Sequence, residues 1–148
     1  VQVGPDRIFF RGRRIMDAVI ADVLEKGLTD AKELLVTGCS AGGMAVFLHL
    51  DYIASKVPAS VTVKGLPESG FFLDFPTWDG VDYMSGIYRY AVQMQRVIPN
   101  TNADCVAAYT AAEQWKCFLP QYILPFMRTP YFVVNSFYDK WQTENILN

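Results

Sequence analysis

Gly38, Ser40 and Gly42 set a serine between two glycines, directly after the apolar run Leu34-Leu35-Val36-Thr37 and directly before a long helical pattern. A strand that turns abruptly into a helix at a serine lifts the hydroxyl clear of the sheet, and small neighbours are needed because the backbone passes so close to itself. The unpaired N–H groups at the start of that helix carry partial positive charge toward the point where a tetrahedral oxyanion would form. The chemistry this suits is acyl transfer, with Ser40 as nucleophile and the Ala41 N–H as one oxyanion donor. The same residues also fit an ordinary glycine-rich turn in which Ser40 caps the helix.

A serine nucleophile needs a base, and an acid to orient that base. Asp139 follows the apolar run Tyr131-Phe132-Val133-Val134-Asn135 by four residues, on the loop after a later strand. There it would accept a hydrogen bond from a histidine, fixing the tautomer and stabilising the imidazolium. An aspartate in such a turn also bonds its own backbone readily. The one histidine, His49, sits nine positions beyond Ser40 on the helix, roughly 13 Å away at 1.5 Å per residue. It reads as a core or surface histidine of that helix and not as the base. The base is expected after Asp139, in a stretch outside these residues, and so is the upstream glycine-rich loop that would give the second oxyanion donor. The chain opens on Val1 and closes on Asn148 behind Ile146-Leu147, and it reads as a piece cut at both ends.

The elements that must position these residues follow from periodicity. Val1 to Phe10 carries a turn at Gly4-Pro5-Asp6 and the short group Ile8-Phe9-Phe10, and reads as a connector. Ile15, Met16, Val19, Ile20, Val23 and Leu24 fall at helical spacing up to Gly27, with Asp17, Asp22 and Glu25 toward water, so this helix is expected to cover one side of a sheet. The helix from Met44 to Lys56 is apolar on most sides and therefore buried, and Pro58 ends it. Val61, Val63 and Leu66 form the next strand, and strand-helix-strand predicts a parallel pair with a right-handed crossover.

Gly70, Phe71 and Phe72 follow at the carboxyl end of that strand, where open α/β sheets bind ligands; they suit a substrate pocket and, equally, a packed core loop. From about residue 76 to 128 the pattern is helical and irregular. Met84, Ile87, Tyr88, Ala91, Met94 and Ile98 share a face, Asp104 to Trp115 reads as a second helix, and Pro120 opens a third. This stretch is expected to be an insertion that roofs the site, with Tyr131 to Asn135 as the third strand. The fold class is α/β, a mostly parallel sheet flanked by helices.

Composition bounds the function. With 148 residues, 51% of them hydrophobic, the chain makes one domain with a real core. A net charge of -2 from intermixed charges leaves no basic block to track a phosphate backbone, so nucleic acid is not an expected partner. No apolar run is long enough for a transmembrane segment. Three scattered cysteines and one histidine give no metal-ligand cluster, and no cofactor is expected. Cys105 and Cys117 leave a disulfide open as a possibility, one that would stabilise the fold by about 3 kcal/mol. Cys39 is expected to be a buried free thiol.

Taken together, Phe10-Arg11-Gly12, Gly38-Cys39-Ser40-Ala41-Gly42-Gly43, Phe47-Leu48-His49, Ser69-Gly70-Phe71-Phe72-Leu73-Asp74 and Tyr138-Asp139-Lys140-Trp141-Gln142 resemble the pectin acetylesterase and Notum family nearly end to end. The resemblance implies an α/β-hydrolase-like esterase, with Ser40 as nucleophile and Asp139 as triad acid, and a family disulfide between Cys105 and Cys117. It implies secretion to the extracellular space or cell wall. Cys39 and Phe72 are closer to the plant branch, which removes acetyl from cell-wall pectin, than to the Notum branch, which removes a fatty acyl group from a protein. The expected partner is thus an acetylated polysaccharide or a lipidated protein. A non-catalytic binding domain that kept the fold is the remaining alternative.

Overall fold

The computed structural model describes residues 2–3, 5–7 and 9–148. Its elements in order are β1 (Gln2–Val3), β2 (Asp6–Arg7), α1 (Gly12–Glu25), β3 (Glu33–Cys39), α2 (Ala41–Lys56), β4 (Thr62–Glu68), α3 (Tyr83–Gln95), α4 (Ala103–Ala108), α5 (Pro120–Ile123) and α6 (Lys140–Asn145). Short 3-10 turns link several of them.

β3 and β4 pair in parallel through α2, from Glu33 opposite Thr62 to Cys39 opposite Glu68, as the strand-helix-strand pattern requires. The third extended segment runs beside β4 in the same direction but touches it as two separate bridges, Gly65 to Tyr131 and Glu68 to Val134. The N–H groups of Phe132 and Val134 donate to Gly65 and Pro67, and the N–H of Ser69 donates to Val134. Asp51 of α2 anchors the approach to this segment by accepting the Thr129 N–H at 2.8 Å. The sheet order is thus β3, β4, then residues 131–134.

α2 is buried on three sides because its apolar residues surround the axis. Val46 and Leu50 pack on the sheet with Val61 and Val63. Phe47 meets the Cys105, Cys117 and Ile123 cluster, and Met44 lies under Met84, Tyr88, Val92, Trp115 and Leu119. The Cys105–Cys117 disulfide is formed, tying α4 to the turn Gln114–Phe118.

Several expectations change. Residues 2–7 form a small antiparallel hairpin and not a plain connector, with Gln2 opposite Arg7; Gly4 and Ile8 lie outside the described residues. The α1 stripe is largely uncovered. Ile20 is buried, but Ile15 is 62% and Val19 54% exposed, because no strand or helix among the described residues packs against that side. Asp17 faces α2, where its carboxylate accepts the Tyr52 hydroxyl at 2.6 Å. On α3, Met84, Tyr88 and Val92 are the buried line while Ile87 and Met94 stay exposed, since the covering elements approach from the Trp115 side. The second insertion helix stops at Ala108, and a loop and a 3-10 turn complete the span to Trp115.

Candidate active site

β3 ends at Cys39 and α2 begins at Ala41, leaving Ser40 alone at the turn with φ of 57°. That left-handed backbone is unusual for a residue with a side chain and persists only where its surroundings over-determine it. The surroundings are visible. The Ser40 N–H donates to the Glu68 carbonyl at 2.9 Å, and the Ser40 carbonyl accepts the Met44 N–H at 3.0 Å. Ser40 is exposed, and its hydroxyl makes no capping bond to α2. The simple N-cap reading therefore does not hold, and no hydrogen bond among the described residues engages the hydroxyl. Ala41 is the first residue of α2, so its N–H belongs to the turn that has no intrahelical partner.

Close main-chain packing explains the glycines. A Cβ on Gly38 would lie 2.6 Å from the Gly42 carbonyl carbon, and one on Gly43 would lie 2.5 Å from the Glu68 oxygen. A Cβ on Gly70 would overlap the Gly43 main chain. Gly42, the second glycine of the motif, meets nothing within 4 Å at its Cβ position. The small residue that the elbow needs on its helix side is Gly43, and its partner is Gly70. Cys39, expected to be buried, is exposed, because its side of β3 has no covering element among the described residues.

The row Cys39, Glu68, Val134 marks the carboxyl ends of three parallel segments, and Ser40 and Asp139 both follow that row. Asp139 caps α6, with Oδ1 accepting the Gln142 N–H at 2.9 Å. This backbone bond occupies one carboxylate oxygen and leaves Oδ2 for another donor. His49 is half-buried on α2 with its Nδ1 enclosed and unpartnered. Burial, then the Arg13 charge, holds its pKa below the usual histidine range against an opposing effect of Asp17.

Gly70, Phe71 and Phe72 stand beside the elbow, with Gly70 buried and both rings half-buried. Phe71 packs edge-on against Phe47, with centroids 6.0 Å apart, and Phe72 packs against Trp141 at 5.3 Å. Sequence reasoning missed what joins this loop to Asp139. Gln142 is buried, and its Oε1 accepts the Leu73 N–H at 3.1 Å. Asn135 Oδ1 accepts the Phe71 N–H at 3.2 Å. The Asp-x-x-Gln spacing of a helix start was a readable signal for Gln142.

Asp74 ties the loop after β4 to α3 and α5. Its carboxylate accepts Ser85 of α3 at 2.5 Å and the Tyr122 hydroxyl of α5 at 2.7 Å. Burial, reinforced by this carboxylate, pushes the Tyr122 phenol up to about 12. Burial and the Asp74 charge do the same to Tyr88. Among the described residues no group of histidine, cysteine, aspartate and glutamate side chains is arranged to hold a metal ion.

The Pectinacetylesterase family model matches residues 2–148. The chain belongs to that family. Pectin acetylesterase 5 of Arabidopsis thaliana is 40% identical over 141 residues, covering 95% of this chain and 32% of that protein. Human palmitoleoyl-protein carboxylesterase NOTUM is 32% identical over 145 residues, covering 90% of this chain and 29% of its own length. A crystal structure of the Wnt deacylase Notum from Drosophila superposes with a TM-score of 0.78 at 30% identity, over 91% of this chain and 41% of that one. The fold is accordingly α/β-hydrolase-like. The chain spans about a third of the length of the curated relatives it matches, such as the 32% for pectin acetylesterase 5.

Proposed function

We propose that this chain carries the nucleophile and the acid of a secreted serine esterase that removes acetyl groups from pectin. The observation that carries the reading is Ser40, exposed, held at positive φ and free of any capping bond, on the sheet edge that Asp139 also follows. Ser40 Oγ attacks the acetyl carbonyl, and its proton passes to an imidazole whose other N–H donates to Asp139. The oxyanion is held by the Ala41 N–H and the positive end of α2. The sugar hydroxyl leaves with the proton, and water then releases acetate from the acyl-serine. The imidazole has to come from outside these 148 residues, because His49 is on the wrong turn of α2.

Acetyl is favoured over a long acyl chain because Phe71 and Phe72, the side chains best placed to line a lipid slot, already pack edge-on against Phe47 and Trp141, which narrows the apolar surface left for a lipid. Sequence likeness to plant pectin acetylesterases points the same way. Secretion is supported by the Cys105–Cys117 disulfide, which persists in oxidising compartments. No helix among the described residues is long and apolar enough to cross a membrane. The test is acetate release from acetylated pectin by the full chain, run beside fatty-acyl release from a lipid-modified peptide. Faster turnover of the peptide would replace this reading with a Notum-type one, and no release from either would leave the fold as a binding domain.

A further inference from the structure

Outside the candidate active site, one cleft concentrates charge of a single sign. It has a volume of about 730 Å³ and lies where the start of α1 meets the middle of α2 and the end of α3. Arg11, Arg13, Arg14 and Arg96 all line it, and no acidic side chain does. In a chain whose net charge is -2, four of the thirteen basic residues therefore face one space. Arg13 is engaged at its rim, 3.8 Å from Asp17 and donating to the Asn100 carbonyl at 3.4 Å. Among the described residues, no carboxylate lies within ion-pair distance of Arg11, Arg14 or Arg96.

Arg11, Arg13 and Arg14 gather at the positive end of α1, which raises the pull on an anion, although Arg11 also stacks on Phe9 with its guanidinium carbon 4.1 Å from the ring centroid. α1 has no acidic residue in its first turn and no side-chain cap. Arg96 sits at φ of 52°, a strained backbone for arginine, at the C-terminus of α3. The remaining wall is suited to a sugar. Phe10 is 60% exposed and offers a flat apolar face, and Gln95 offers an amide for hydroxyl groups.

We propose that this cleft is a subsite for an acidic polysaccharide, in which Arg11, Arg14 and Arg96 bind the carboxylates of successive uronate units while Phe10 carries a sugar face. Guanidinium groups match carboxylates in a planar, two-bond geometry that a lysine cannot reproduce. The choice of uronate as the sugar rests on the pectin reading above; the cationic character of the cleft does not. A polymer substrate extends well beyond its reacting ester, and a remote site of this kind would hold the chain in register while Ser40 acts.

The test uses the full chain carrying Ser40→Ala, titrated with fully de-acetylated oligogalacturonate, so that neither turnover nor an acetyl group is involved. Neutral galacto-oligosaccharide of the same length and inorganic sulfate are run in parallel. The expected result is salt-sensitive binding of oligogalacturonate only, weakened about tenfold by Arg14→Ala and again by Arg96→Asn, a residue that tolerates the left-handed backbone. Arg14→Lys should recover part of the loss, which separates lost charge from lost folding. Equal affinity in parent and variants, or equal affinity for the neutral oligosaccharide, overturns the subsite. Sulfate competing as well as the oligomer shows a simple oxyanion site and overturns the polysaccharide assignment. Because binding is read without catalysis, failure here leaves the esterase reading standing, and an inert esterase that still binds leaves the subsite standing.

Discussion

Gln142 accepts the N–H of Leu73 across 69 positions of sequence, and the same residue donates its own N–H to Asp139. One buried residue thus couples the loop beside Ser40, through its side-chain amide, to the carboxylate of the candidate triad, through its main-chain N–H. Gln142→Leu keeps the volume and removes the acceptor, leaving a half-buried N–H unpaired. Stability should fall by about 1–3 kcal/mol, read as a shift in urea midpoint. Acetate release should fall further than stability alone explains, because the loop beside Ser40 is no longer tied to the helix start that Asp139 caps.

The elbow glycines should separate by substitution. Gly43→Ala and Gly70→Ala force main chain apart and should lower stability by several kcal/mol or prevent folding, since the obstacle is backbone that no rotamer change relieves. Gly42→Ala meets nothing, and as an exchange within a helix it should be neutral or stabilising by up to about 1 kcal/mol. Thermal unfolding of the three variants checks this. A Gly42→Ala protein as unstable as Gly43→Ala would contradict the packing described.

Reduction should loosen the packing of α4 on the turn Gln114–Phe118. The Cys105–Cys117 bridge closes a separation of 12 residues, and its loss should remove about 3 kcal/mol in the chain-entropy model. A Cys105→Ala, Cys117→Ala protein should show the lowered melting temperature without reductant and no further drop with it.

His49 should make stability depend on pH. Its pKa is lowered on folding from the usual 6.5, chiefly by burial and then by Arg13, with Asp17 opposing. The unfolded chain therefore takes up the proton first as pH falls. The stability contributed by neutral His49 is present above about 6.5 and is lost as pH drops through that value toward the folded one. Urea midpoints between about pH 5 and 8 should fall toward acid in the parent, and His49→Gln should flatten that slope.

How much of this was legible depended on range. β3, the turn at Ser40, α2 and β4 were readable because four β-favouring or apolar residues, a glycine-flanked serine and a Pro58 stop follow one another along the sequence. The motifs that carried the family resemblance were local in the same way, and the family match bears them out. Burial was less legible wherever a distant element decides it. Cys39 and the α1 stripe read as buried by type, yet their exposure follows from what packs, or does not pack, across from them. Val92 was missed and Met94 wrongly chosen because the Trp115 turn selects which line of α3 is covered. Asp74 carried no reading of its own beyond the motif from Ser69 to Asp74, and only the positions of Ser85 and Tyr122 show it to tie that loop to α3 and α5.

Acetate release from acetylated pectin by the full chain, compared among the parent, Ser40→Ala and Asp139→Asn, tests the central claim most directly. The account predicts a loss of about 10⁴-fold or more for each single variant, and a double variant little worse than either, because the groups act as a unit. Parent-like turnover by Ser40→Ala would contradict it.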